Sequence, residues 1–251
     1  MTVVIPGDHL FDFIGENVLH VDAMKMMEDL ANGLRQGDCS CATMMYLEHH
    51  AVVTIGRETQ SADIAELPAS LDRVIVNRGG KATYHGPGIL VGYFVLDLSR
   101  RFPARPDLHA YLRALEAGII AFVSEHYGLS CQRKAGYTGV WAPGLDPTRS
   151  ELRKIAAIGV GCRRWVTTHG FALNLHPDLS VFQSFVPCGI KDADTSSVAA
   201  ELSKGGLEYQ TRPMKEVARM LHPFLCNALA EEGWQLCPSS ISGSFPKAPH
   251  R

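Results

Sequence analysis

Four short segments of this 251-residue chain combine side chains capable of covalent or acid–base chemistry with backbone that would present them. In Ser184-Phe185-Val186-Pro187-Cys188-Gly189-Ile190 a cysteine stands between a proline, whose own φ is fixed, and a glycine, which leaves one side open. A thiol so placed is presented, not packed away. A neighbouring cation or base turns it into a nucleophile, and the N–H groups after it can hold the oxyanion of a reacting thioester. Lys154 opens the apolar run Lys154-Ile155-Ala156-Ala157-Ile158-Gly159. A strand-end lysine is ordinarily a solvated charge, but one forced against apolar neighbours is desolvated and suits a general base. The segment Arg78-Gly79-Gly80-Lys81-Ala82-Thr83-Tyr84-His85-Gly86-Pro87-Gly88 sets four glycines among polar and aromatic side chains, so backbone can approach a ligand closely. Its glycine spacing is neither that of a Walker loop nor that of a dinucleotide fingerprint. His169-Gly170-Phe171-Ala172 ends a β-prone run, and His85 and His169 are each either partners in this chemistry or satisfied core histidines.

These groups need elements to hold them. Residues 21–34 carry Ala23, Met24, Met27, Leu30, Ala31 and Leu34 at helical spacing before Gly37-Asp38 breaks the pattern. Residues 43–47, 52–55, 73–76 and 89–98 are β-prone. Pro106-Asp107 opens a second helix, striped by Leu108, Leu112, Leu115, Ile119 and Phe122 and stopped by Gly128. Residues 155–160 and 165–175 read as a hairpin joined by Gly161-Cys162-Arg163-Arg164, which would bring His169 beside Lys154. Thr211-Arg212-Pro213 starts a last helix with Met214, Val217, Leu221, Leu225 and Leu229 inward. Hairpin and crossover connections are mixed, which predicts an α+β fold with a mixed, mostly antiparallel sheet flanked by helices. A single catalytic domain over residues 1–238 and a flexible tail over 239–251, rich in Pro, Ser and Gly, are expected.

Composition narrows the function classes. A hydrophobic fraction of 46% and a charged fraction of 20% are those of a globular enzyme. A net charge of −2 offers no global field for nucleic acid. No eighteen-residue apolar run offers a membrane span, and the acidic start is unlike a secretory signal, so a cytoplasmic protein is expected. The seven cysteines are odd in number, with no zinc-like spacing, and read as thiols in a reducing compartment.

Taken in order, RGGxxTYHGPG at 78–88, KIAxIG at 154–159, HGxALN at 169–174 and PCGI at 187–190 closely resemble the motifs of the bacterial lipoyl(octanoyl) transferases. Glu48-His49-His50 and Ile89 depart from the family pattern, as does the longer loop at 144–149. The resemblance implies the fold of biotin and lipoate protein ligases. It implies an octanoyl donor carried on acyl carrier protein. The acceptors would be lysines on lipoyl domains of 2-oxoacid dehydrogenases and on the glycine cleavage H protein. It makes Cys188 the acylated nucleophile and Lys154 its base. Arg78, Gly79, Gly80, Lys81, Ala82, Thr83, Tyr84 and His85, with Ala157, Ile158, Gly159, Gly170, Phe171 and Ala172, would line the acyl and pantetheine tunnel. Thioester exchange followed by amide formation needs no cofactor and no metal. An acidic carrier would dock on Arg78, Lys81, Arg163 and Arg164. The rivals are an ATP-dependent lipoate or biotin ligase, a thioesterase using Cys188 with His85 or His169, and a non-catalytic carrier-binding module.

Overall fold

The structure, a computed structural model, describes residues 9–37, 42–100, 105–143, 152–185 and 195–234. Cys188 with Pro187, Gly189 and Ile190, and the tail at 239–251, lie outside the described residues. In the main sheet β1 (His9–Val18), β2 (Ala42–His49), β6 (Ile89–Val95), β10 (Val166–Asn174), β9 (Leu152–Arg163), β8 (Tyr137–Pro143) and β7 (Gln132–Lys134) lie side by side in that order. Only β1 and β2 run parallel; every other neighbouring pair is antiparallel. A second, three-stranded sheet sets β3 (Val52–Ile55) between β4 (Asp72–Ile75) and β5 (Thr83–His85).

Helices close both faces. Strand β6 is buried along its whole length because it is covered on two sides, and its side chains sort by parity. Leu90 and Phe94 join the cluster beneath α2 (Leu108–Tyr127), α3 (Val198–Lys204) and α4 (Met214–Glu231). Ile89, Val91, Tyr93 and Val95 join the cluster beneath α1 (His20–Gln36) and the small sheet. In α1, Ala23, Met27, Ala31 and Leu34 form the inward stripe, and Gly37 at φ 81 caps the helix in the left-handed region that glycine tolerates. In α2 the Asp107 carboxylate accepts from His109 N and Ala110 N, satisfying two of the orphan donors of the first turn. No helix among the described residues is long and apolar enough to cross a membrane.

The β9–β10 turn differs from expectation. Gly161, Cys162 and Arg163 continue β9, and the chain reverses over Arg164 and Trp165 alone, both left-handed at φ 52 and 64. Two successive left-handed residues make the tight hairpin whose twist matches the strands, here without the glycine or asparagine that usually reveals it. The shorter turn resets the register: His169 stands opposite Val160, six residues along β9 from Lys154. The two residues are therefore not cross-strand neighbours.

Candidate active site

Lys154 sits at the start of β9 with its backbone held on both sides, paired with Trp141 of β8 and bridged to Thr195. Ser196 N also donates to its carbonyl at 2.9 Å. The side chain is 9% exposed; Nζ donates to Thr138 O at 3.1 Å and lies 4.7 Å from the centroid of the Trp141 ring. Phe185, the last described residue before Cys188, packs with Phe182 in the second core cluster. Thr195, the first described residue after it, is the one bridged to Lys154.

The glycine-rich segment reaches the same place along the free edge of β9. Beyond Ala156, β9 has no β8 partner, and Gly79 N donates to Val160 O at 3.1 Å instead. The segment is pinned by Arg78, which is 7% exposed: one amino group donates to Gly79 O and Lys81 O, the other to Thr54 O and Thr54 Oγ1. Arg78 therefore braces the loop and is withdrawn from the surface where a carrier would dock. Lys81 pairs with Asp63 at 3.1 Å. Of the four basic residues expected at the docking face, Arg163 and Arg164 at the hairpin tip are exposed. Gly161 has to be small here, because a Cβ there would meet Asn77 O at 2.9 Å, and a Cβ at 159 would press on Arg78 Cδ at 3.2 Å.

Four histidines gather behind this loop. Burial, with the nearby Arg78 guanidinium, lowers His20 to about 4 and His169 to about 3. Burial likewise lowers His49 to about 4 and drives His85 well below the ordinary histidine range. All four are neutral at pH 7. His49 Nδ1 is 3.0 Å from Val18 O, which can only accept, so Nδ1 carries the proton and Nε2 accepts from Tyr93 OH at 2.7 Å. Thus His49, one of the departures from the family pattern, is a buried hydrogen-bonded spacer. Both nitrogens of His20, both of His169 and Nδ1 of His85 have no partner among the described residues. His169 also takes φ 60, an uncommon region for a residue with a Cβ. Among the described residues no three of these or other ligating side chains are disposed to hold a metal ion.

Lys154, the glycine-rich segment and His20, His85 and His169 surround one cavity of about 400 Å³, within the range of sites that enclose small molecules. Its walls include Arg78, Gly79, Gly80, Lys81, Thr83, Ala157, Ile158, Gly159, Gly170, Phe171 and Ala172, all expected from sequence. Ala82 and Tyr84 face away into the second core cluster, Tyr84 against the Phe182 ring, because side chains alternate along β5 and its approach. Sequence reading missed His20, Thr54, Arg57, Glu58, Tyr93, Leu108, Leu112 and Val160, with Gly136 and the start of β8 at Tyr137 and Thr138, which complete the walls. Leu108 and Leu112 belong by spacing to the apolar stripe of the second helix, and nothing local distinguishes His20 from a helix-start histidine. The arrangement can enclose an apolar chain between Ala157, Ile158, Phe171 and Ala172 while a primary amine stands at one wall.

Residues 20–222 match the family described as the lipoyl protein ligase A/B catalytic domain. An octanoyltransferase of Gloeobacter violaceus is 48% identical over 147 residues, spanning 59% of this chain and 61% of that relative. An octanoyltransferase of Geobacter sp. is 41% identical over 207 residues, 82% of this chain and 92% of the relative. The fold is that of a bipartite lipoate protein ligase from Thermoplasma acidophilum, with a TM-score of 0.61 at 15% identity over 89% of this chain and 84% of that one.

Proposed function

Since the chain belongs to the lipoyl protein ligase A/B catalytic family, with octanoyltransferases among its relatives, we infer that it transfers an octanoyl group in protein lipoylation. It is an acyltransferase. The observation that carries the reading is the convergence of Lys154 and the Arg78–Lys81 loop on one 400 Å³ cavity with an apolar wall at Ala157, Ile158, Phe171 and Ala172. In the reaction proposed here the donor is octanoyl acyl carrier protein. The Cys188 thiol gives its proton to Lys154 and attacks the donor's carbonyl carbon; the bond to the carrier sulfur breaks, and the carrier leaves as a thiol, taking that proton from Lys154. The ε-amine of a lipoyl-domain lysine, its proton drawn off by Lys154, then attacks the Cys188 thioester. An amide forms and the thiol is regenerated. Lipoyl domains of 2-oxoacid dehydrogenases and the glycine cleavage H protein are the proposed acceptors, and the balance closes without ATP.

Three observations support this reading over a cysteine hydrolase. His85 and His169 are too weakly basic, at well below the usual range and about 3, to take a thiol proton near neutral pH. Of the two lysines on the cavity wall, Lys81 is paired with Asp63, while Lys154 stands beside the returning chain at Thr195. The cavity is also walled by Phe171, 3% exposed, an apolar surface that suits an acyl chain better than water. The reading places the enzyme in the cytoplasm, where free thiols such as Cys131 and Cys162 persist.

The test is intact-protein mass spectrometry after mixing with octanoyl acyl carrier protein, at low and high salt. The expected result is one octanoyl adduct that hydroxylamine removes, absent in Cys188→Ala, and formed more slowly at high salt as Arg163 and Arg164 are screened. A Cys188→Ala enzyme that still transfers octanoate to a lipoyl domain at near wild-type rate sinks the thioester route.

A further inference from the structure

We propose that Trp141 and Glu116 are positioning residues for Lys154: the indole face and a carbonyl fixed by the Glu116–Gly139 hydrogen bond together hold the lysine amine on the cavity wall. The inference rests on the reading that Lys154 moves the protons. It starts from a fault in the β8–β9 ladder. Val140 pairs with Ala156, but Trp141 pairs with Lys154, so Ile155 has no opposite residue and β9 carries a bulge there. In an unbroken ladder Trp141 would face Ile155. The bulge sets Lys154 opposite it instead, which is how a single inserted residue re-aims a side chain.

What Trp141 contributes is its ring face. The residue is wholly buried, and its Nε1 has no hydrogen-bond partner among the described residues, an unfavourable condition for an indole whose role is only to fill space. Lys154 Nζ lies 4.7 Å from the ring centroid, and Lys134 Nζ, from β7, lies 4.9 Å from the same centroid. Both distances are those of a cation over a π system. The second contact on Lys154 is Thr138 O, at 3.1 Å. That carbonyl is set by the next residue: Gly139 takes φ 134 and its N–H donates to Glu116 Oε1 at 2.9 Å. A Cβ at 139 would stand 2.6 Å from Ala156 O and 3.2 Å from Lys154 Cε, so only glycine lets the lysine stem pass. Glu116 is buried in the middle of α2, and its other oxygen pairs with Arg133 Nε at 2.9 Å. A helix packed on β8 thereby fixes the height of the carbonyl that receives Nζ.

The test is a set of coupled substitutions, read by single-turnover acyl-enzyme formation from octanoyl acyl carrier protein and followed for hours so that slow variants remain measurable. Trp141→Leu should slow acylation about tenfold with donor KM nearly unchanged, and Trp141→Phe, which keeps a ring, should recover most of the loss. Glu116→Ala should slow it comparably, and Glu116→Gln, which keeps an acceptor for Gly139 N, should restore it. None of the four should add to the defect of Lys154→Ala, since no amine is left to position. If Trp141→Leu does not fold, the Glu116 pair carries the same comparison. Equal losses in the presence and absence of Lys154, or no loss in its presence, overturn the positioning role. A Lys154→Ala enzyme with unchanged acylation overturns the reading of Lys154 itself, and that single variant tells the two failures apart.

Discussion

The Arg78 guanidinium donates two hydrogen bonds through each amino group to described residues of its own chain, and it does so while almost wholly buried. A planar fork can join the glycine-rich segment to Thr54 of β3; an ammonium is a point charge and can satisfy one side only. Arg78→Lys should therefore keep the net charge and lose the loop geometry, at a cost of roughly 3 kcal/mol in loop order, or about a hundredfold in kcat/KM. Steady-state kinetics beside a melting curve checks this, and activity within threefold of wild type would show that the fork is dispensable. Half-buried cysteines illustrate the opposite case of a reactive type made inert. Burial pushes the Cys131 and Cys226 thiols up to about 12, so neither competes as a nucleophile near neutral pH.

Strands β6 and β10 meet through two glycines used in opposite ways. A Cβ on Gly170 would stand 2.3 Å from Gly92 O, so the backbones can approach only because residue 170 has none. A Cβ on Gly92 would stand 2.3 Å from Cε1 of Phe171, so the missing side chain there is the seat of the ring that walls the cavity. That ring is held further by Phe94, edge to face at 5.7 Å. Gly170→Ala meets backbone, which cannot rotate aside, and should destabilise the protein by about 3 kcal/mol or more. Gly205→Ala, at φ −82 after α3 with its nearest atom at 3.4 Å, should change stability by less than about 0.5 kcal/mol. Denaturant midpoints for the two variants decide the matter, and equal midpoints would remove the argument.

Across the whole molecule the buried histidines make stability depend on pH in a definite direction. Unfolded histidines titrate near 6.5, while folded His20 and His49 are lowered to about 4 and His169 to about 3. Between those values the unfolded chain binds protons that the folded chain does not. Stability is thus complete above about pH 6.5 and declines as pH falls, by up to about 1.4 kcal/mol per unit for each histidine. Glu201 does not oppose this. Burial disfavours its charge, but Arg153, Ser196 and Lys204 outweigh burial and hold it down to about 2, so its contribution is lost only well below pH 5. The melting temperature should fall steeply from pH 7 to pH 5, and less steeply in His169→Asn, which accepts a left-handed backbone and does not titrate. A flat profile over that interval would contradict the burial of these rings.

What the sequence determined by itself is what neighbours in the chain determine. The Asp107 cap, the stripe of α1, the Gly37 and Gly128 stops and the mostly antiparallel character of the sheet follow from local preference and periodicity, and all appear in the structure. The grouping of Lys154 with the 78–85 segment was legible because each segment is chemically unusual within a few residues. Only the tertiary structure decided the rest. The Arg164-Trp165 turn carries no glycine, and the sheet's twist, with Leu98 N on Trp165 O at 2.8 Å, imposes a left-handed path that local preference does not suggest. That turn sets the register that keeps His169 away from Lys154. Nothing in the sequence singles out Trp141 or Glu116, because their significance lies in contacts across a bulge and between a helix and the sheet. Such contacts join residues far apart in the chain, and their free energy is settled by packing, which no local pattern of residue types contains.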